Sequence, residues 1–248
     1  RNATDTSISD SGDATAITID SSENVGIKTT TPTNYYADDL VVTAPDEGGI
    51  TVVGGTTERN YLAFADGTSG DARYRGLISY DHNTDKLGIG AGGGTKIELD
   101  GNGIMTNATQ PASIAYSNAN NTQAFSSADT YEIVTFNTET IDKNADYSPN
   151  TFSAPVDGTY YVNANVLRTA SSSGSITYDL AVYVNSSLTL YSRHHGDNSG
   201  SNTSTQNVTG LVDLDASDTV QVYARVSDTK GQRYQSQTTT YFHVFLLA

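Results

Sequence analysis

Apolar and polar residues alternate most clearly where Tyr160, Val162, Ala164 and Val166 interleave with Tyr161, Asn163 and Asn165. A period of two predicts a strand with one apolar and one polar face. The stretch from Phe152 leads into it through Pro155-Val156-Asp157-Gly158, a turn in which Pro fixes φ and Gly supplies the positive-φ option. Further strands are predicted at Ala112–Tyr116, Thr122–Phe125, Tyr131–Phe136 and Tyr178–Val184, as a pair within Leu211–Ala224, and as a closing strand in Thr239–Leu247. In Tyr131–Phe136, Tyr131, Ile133 and Thr135 fall on one side and Val134 and Phe136 on the other. The N-terminal half has only short apolar runs, such as Leu40-Val-Val-Thr, Ile50-Thr-Val-Val and Tyr61-Leu-Ala-Phe, separated by Gly-, Asp- and Thr-rich turns. No long 3.6-period segment is present, so the pattern predicts an all-β chain.

The two halves are built differently. Ala16–Ile27 and Thr95–Ile104 share the plan I-x-[IL]-D…N-x-G-I, matching Asp20 with Asp100 and Gly26 with Gly103. A spacing of about eighty residues is too long for a solenoid rung, so the element is read as reused. The division expected is a β-rich shaft segment over 1–105, a polar, Pro-containing joint over 106–112 and a head domain over 113–248. The shaft runs are too short to build a core within one chain, whereas three copies around a common axis would bury them and cover the strand edges. Such a protein is expected to be a trimer whose folding and association are inseparable.

Composition narrows the partners. With 28 acids against 13 bases and a net charge of −15, the chain lacks the basic stripe that nucleic acid or an anionic membrane surface would require. The acids favour solubility, with calcium in acidic loops as the sharper alternative. There is no Cys and no Trp, so stability has to come from packing and assembly. No apolar run approaches the length of a membrane span. A chain that begins at Arg1 is expected to be a fragment or processed product of something longer.

Two resemblances rest on particular phrases. The motif F-x-A-P-x-x-G-x-Y-Y at 152–161 resembles the central strand of the globular head of the complement recognition subunit, a relative of the tumour-necrosis-factor jelly roll. Three further matches follow in order: the strand ending at Asn185, with Ser186 at the usual Gly; L-x-L-x-x-G-D-x-V within 211–224, with Ser217 at the usual Gly; and the closing strand, with His243-Val244 where the pattern has small residues. Ile19-Asp-Ser-Ser-Glu-Asn-Val-Gly-Ile27 and Gly76–Leu87 are similar to shaft phrases of bacteriophage tail fibres, with Lys28 at a usual Gly. Together they imply a short-stranded, intertwined fibre shaft followed by a jelly-roll β-sandwich, trimeric, in a virion fibre outside the cell.

The chemical motifs are sparse. Gly88-Ile-Gly90-Ala-Gly-Gly93 satisfies G-x-G-x-x-G, but a strand rather than a helix follows, so it reads as a glycine-rich turn and not a phosphate site. His194-His195 point opposite ways on an extended backbone and cannot both serve one metal, although a threefold axis could gather one from each chain. They are expected in an exposed loop that continues through Gly196–Gln206. No catalytic constellation, metal site or cofactor motif stands out, and the chain is not expected to be an enzyme. The Asn-x-Ser/Thr triplets match what a chain so rich in these residues contains by chance. The head is expected to bind a host-surface glycan or protein receptor, itself in further copies, and other virion proteins at the N-terminal side. The candidate contact residues, on two loops rich in charge, amide and ring groups, are Arg193, His195, Asp197, Lys230, Arg233 and Tyr234. The rival readings are a structural cap that registers three chains and, in another class, a surface glycan hydrolase.

Overall fold

Short polar and β-branched side chains with no helical period leave the backbone to satisfy itself between strands. The computed structural model describes residues 6–9, 15–118, 123–170, 174–198, 202–228, 233–235 and 239–248 and contains no α-helix among them. It divides into two compact units, Arg1–Met105 and Thr106–Ala248.

The first unit holds two sheets. In one, β1 (Thr6–Ser9), β2 (Thr15–Ile19), β3 (Val25–Ile27) and β4 (Leu40–Val42) lie side by side, with β3 and β4 parallel. In the other, β5 (Arg59–Phe64), β6 (Gly76–Asp81), β7 (Lys86–Ala91) and β8 (Gly94–Asp100) form an antiparallel meander, and β9 (Met105–Asn107) follows. Of the short apolar runs, Ile50-Thr-Val-Val forms no strand, unlike Leu40–Val42 and Arg59–Phe64. Val52 C=O accepts from Asn60 Nδ2 and ties this run to the meander. The G-x-G-x-x-G segment is the β7–β8 hairpin, with Gly92 and Gly93 at φ of 62° and 80°, the conformation its two-residue turn requires.

The reused element is real at Asp20 and Asp100. In each case Oδ1 accepts two backbone N–H groups, from Ser22 and Asn24 at 2.8 and 3.0 Å, and from Asn102 and Ile104 at 2.9 Å each. The second expected match is displaced: the left-handed residue is Glu23 (φ 69°) in the first copy and Gly103 (φ 82°) in the second, so Gly26 is not the counterpart of Gly103. Gly26 is small for another reason, since a Cβ there would meet the Thr29 carbonyl oxygen at 2.4 Å.

The second unit is a β-sandwich. Its strands are β10 (Ala112–Tyr116), β11 (Gln123–Ala124), β12 (Glu132–Ile133), β13 (Thr138–Asp142), β14 (Tyr147–Ser148), β15 (Thr151–Ser153), β16 (Gly158–Ala170), β17 (Gly174–Val184), β18 (Ser187–Asn198), β19 (Asn202–Leu214), β20 (Thr219–Val226), β21 (Arg233–Gln235) and β22 (Tyr241–Leu246). One sheet runs β11-β21-β16-β22-β10-β13 with β19 also on β16; the other runs β14-β15-β20-β17-β18 with β12 on β20. Between them lies the core, centred on Tyr160, Val162, Ala164 and Val166 of β16, Tyr178, Leu180 and Val182 of β17, alternate valines of β20, and Phe242 and Val244. The expected alternation along β16 is therefore the observed one. Tyr160, fully buried, donates its hydroxyl to the Val156 carbonyl at 2.8 Å and so ties the Pro155 turn to the core.

Of the predicted Tyr131–Phe136 strand only Glu132–Ile133 pairs, yet Val134 and Phe136 are buried on one side as the alternation required. The stretch expected as a loop through Gly196–Gln206 is largely strand: β18 runs to Asn198 and β19 begins at Asn202, because β17 and β16 supply their ladder partners. His194 and His195 thus stand on an edge strand opposite Tyr178 and Thr177.

Asn185 and Ser186 close the β17–β18 hairpin with φ of 48° and 66°, the two positive values of a type I′ turn. Asn185 is anchored by accepting from Thr219 N–H at 3.0 Å. Ser186 bears only the cost of its Cβ in the left-handed region. Replacing Ser186 with Gly is expected to stabilise the second unit by about 0.5–1 kcal/mol, read as a shifted denaturant midpoint at unchanged slope.

Candidate functional site

Strand register carries five of the six candidate residues toward the same end of the sandwich, on different sheets. Arg193, His195 and Asp197 lie on β18 opposite Asp179, Thr177 and Ser175, in steps toward the tip of that strand. Arg233 and Tyr234 lie on β21, between Thr169 and Arg168 of β16 and Ala124 and Gln123 of β11. Lys230 lies outside the described residues. At this end Tyr191, Arg193, His194 and His195 are exposed, and Thr177 Oγ1 lies 2.9 Å from His195 Nδ1.

Arg193 is not free. Its Nε and Nη2 donate to the two oxygens of Asp179 at 2.7 and 2.9 Å, a bidentate pair. Arg225 adds Nη1 to Asp179 Oδ2 at 2.6 Å and extends Nη2 to Asp129, while the Tyr131 hydroxyl donates to the same Oδ2 at 3.2 Å. The Asp179 side chain has no exposed surface. Burial drives its carboxyl upward, but the hydrogen bonds and charges of Arg193 and Arg225 outweigh it and hold Asp179 below the ordinary carboxylate range. The same contacts raise both arginines, and burial beside Asp179 pushes the Tyr131 hydroxyl up to about 12. Sequence reasoning missed this network, whose members are scattered from 129 to 225 in the chain. The bipartite role of Arg193 follows: one edge bonds the buried acid, and the rest lies 46% exposed beside the Tyr191 ring, 5.9 Å from its centroid.

Inside the same end, Arg168 continues the inward face of β16 past Val166. Its guanidinium carbon lies 3.2 Å from the Tyr178 ring centroid, it is 7% exposed, and its Nε has no hydrogen-bond partner. Burial lowers its affinity for its proton. Beside it Gln206 closes the gap between sheets by donating to the Ser192 carbonyl at 2.6 Å. Its parity with Val162, Ala164 and Val166 was the signal that could have placed Arg168 inward.

The outer face of the β10–β22–β16–β19 sheet has a different character. His243 stacks on Tyr241 at 4.3 Å between centroids and meets Phe245 edge-on, with Ile114 and Asn163 opposite it on the neighbouring strands. Tyr161 stacks on Phe245, and Leu211 is 60% exposed. Burial lowers the His243 pKa. Among the described residues no three His, Cys, Asp or Glu side chains gather to hold a metal ion, and no helix is long and apolar enough to cross a membrane.

Two titrations follow from these environments. Asp179→Asn removes the acid between two arginines and is expected to cost about 3 kcal/mol at neutral pH. A carboxyl depressed in the fold stabilises above its unfolded value and loses that contribution as pH falls through the folded one. The gap between wild type and Asp179→Asn should therefore close below about pH 4 in urea titrations. For His243 the folded value is depressed, so the unfolded chain takes up the proton first and stability falls on acidification below about pH 6.5. His243→Gln is expected to remove that part of the slope.

A comparison with curated proteins finds no match. Among solved structures, the globular domain of zebrafish complement 1qA protein is similar at 21% identity over 56% of this chain and 98% of that one, with a TM-score of 0.41. The C1q domain family model matches residues 115–247. That span holds the whole core cluster and more than half of the chain, and through it the protein belongs to the C1q domain family.

Proposed function

We propose that the chain is a fibre protein of a bacterial virus, in which an intertwined shaft over 1–105 and a joint at 106–112 present a jelly-roll head at 113–248 to a host-surface glycan. It works outside the cell, on the virion, as a homotrimer with other virion proteins at the N-terminal side. The observation that supports adhesion is that strand register carries candidate residues of both sheets toward one end of the sandwich. There Tyr191, Arg193 and His195 are exposed, and Asp179 holds the Arg193 guanidinium in a fixed orientation. Ring faces and oriented donors are the groups that stack on sugars and bond their hydroxyls. Self-association is supported by the uncharged outer row of Tyr161, Tyr241, His243 and Phe245, whose burial between copies would remove apolar area from water. The family membership supports a head that recognises or trimerises rather than catalyses.

The structural-cap reading has one observation in its favour, the engagement of Arg193 with a buried acid, a role complete without any ligand. The test separates the two. The full chain and its Arg233→Ala/Tyr234→Ala form are labelled, weighed in solution and applied to intact bacterial cells. The expected result is three chains per particle in both, with binding by the double variant lowered at least about tenfold, since three weakened heads lose avidity together. Undiminished binding by a folded double variant moves the contact surface elsewhere, and absence of binding by either form favours the cap.

A further inference from the structure

The meander of the first unit has two unlike faces. On one, Arg59 pairs with Asp81 at 2.7 Å and Lys86 with Glu98 at 2.8 Å, while Leu77 and Ser79 are buried. On the other, register aligns Leu62, Ile78, Ile89 and Ile97 in one cross-strand row. The adjacent row holds Asn60, Tyr80, Leu87 and Leu99. No acid or base stands in either row. Yet Leu62 is 59% exposed, Ile78 41% and Ile89 48%, and Ile50 and Val52 beside them are more than half exposed.

We infer that this face is a self-association surface, packed in the assembled protein against the same face of further copies of the chain. Three observations select a second copy as the occupant. Among the described residues, Pro32, Val41 and Leu77 are the only buried apolar side chains of the first unit, while the whole core cluster belongs to the second. A unit with so small a core requires a partner wherever it folds, and the partner always present is another copy. The rows are also uncharged, so they fit an identical face and offer nothing to a partner chosen by opposite charge. Finally, side chains of this number and exposure supply roughly the 800 Å² per partner that a stable interface removes from water, beyond the patch a typical monomer leaves open. The number of copies, three, rests on the fibre reading above; the face does not.

The chain contains no cysteine, so single replacements report position cleanly. In the full chain, Ile89→Cys on this face and Glu98→Cys on the opposite one are treated with a short bismaleimide. Ile89→Cys is expected to give about tenfold more covalent dimer, the signature of a high local concentration. The companion variant Ile78→Glu/Ile89→Glu places charges on positions a monomer tolerates. It should speed proteolytic cleavage within 1–105 by about tenfold while the 106–248 unit stays intact. A three-chain particle in which both cysteines link equally, or in which the charged variant is cleaved at the wild-type rate, overturns the face and leaves the fibre reading standing. A full chain of single-protomer mass overturns both.

Discussion

Strand β16 is hydrogen-bonded on both edges, to β19 along its whole length and to β22 and then β21 on the other side. This double pairing sets the register, and in a strand the register decides which alternate side chains face inward. A slip of one residue would export Tyr160, Val162, Ala164 and Val166 and bring Tyr161, Asn163 and Asn165 into the core. Losing a buried Val or larger apolar side chain costs about 1.5–3 kcal/mol, and the amides would arrive without partners. The candidate end inherits this constraint. Arg168 lies over Tyr178 because it shares the parity of Val166, and β21 sits where it does because Arg168 and Thr169 are its ladder partners.

Turn chemistry explains how a chain with so little helix-forming pattern punctuates its strands. Several turns place a non-glycine residue at positive φ, among them Glu23, Lys28, Asp85, Ala145, Asn185, Ser186 and Ser217. Each costs about 1–2 kcal/mol in the left-handed region. Neighbouring aspartates offset part of that by accepting the turn's own N–H groups: Asp20 around Glu23, Asp81 before Asp85, and Asp142 around Ala145. Acidity that composition alone assigns to solubility is thus partly backbone scaffolding.

Much of the second unit was legible because alternation and turn residues are local. Phe152–Val166, Tyr178–Val184 and the closing strand were read where they form, and Ser186 and Ser217, standing at usual glycines, keep the glycine-like φ, as Lys28 does in the first unit. The strands over Gly196–Gln206 were hidden because a run of Ser, Thr and Asn looks like loop until its partners on β17 and β16 are known. Gly26 and Gly103 were matched by letter, whereas the backbone equates Gly103 with Glu23. For the site, Arg193 was legible as a charged residue near a tip and illegible as a partner of Asp179, since the register that joins them depends on the hairpin turn. Arg168 was passed over because an arginine at the end of an apolar strand reads as the place where the strand emerges into water.

The two units therefore place their apolar surface oppositely, and net charge gives that difference a consequence. Each chain carries −15, so any association of copies works against repulsion that salt screens over about 8–10 Å. An interface containing further acids would add to that repulsion, and one built from ion pairs would need bases the chain has in short supply. Uncharged faces are the available solution, and both units expose one: the Leu62–Ile97 rows in the first, the Tyr241–His243–Phe245 row in the second. His243 is the one titratable group with a depressed proton affinity on the second of these. Protonating it would place a positive charge in that row with no acid opposite on the neighbouring strands, so an association that used this row would weaken in acid, whereas one that used the rows of the first unit would meet no such charge.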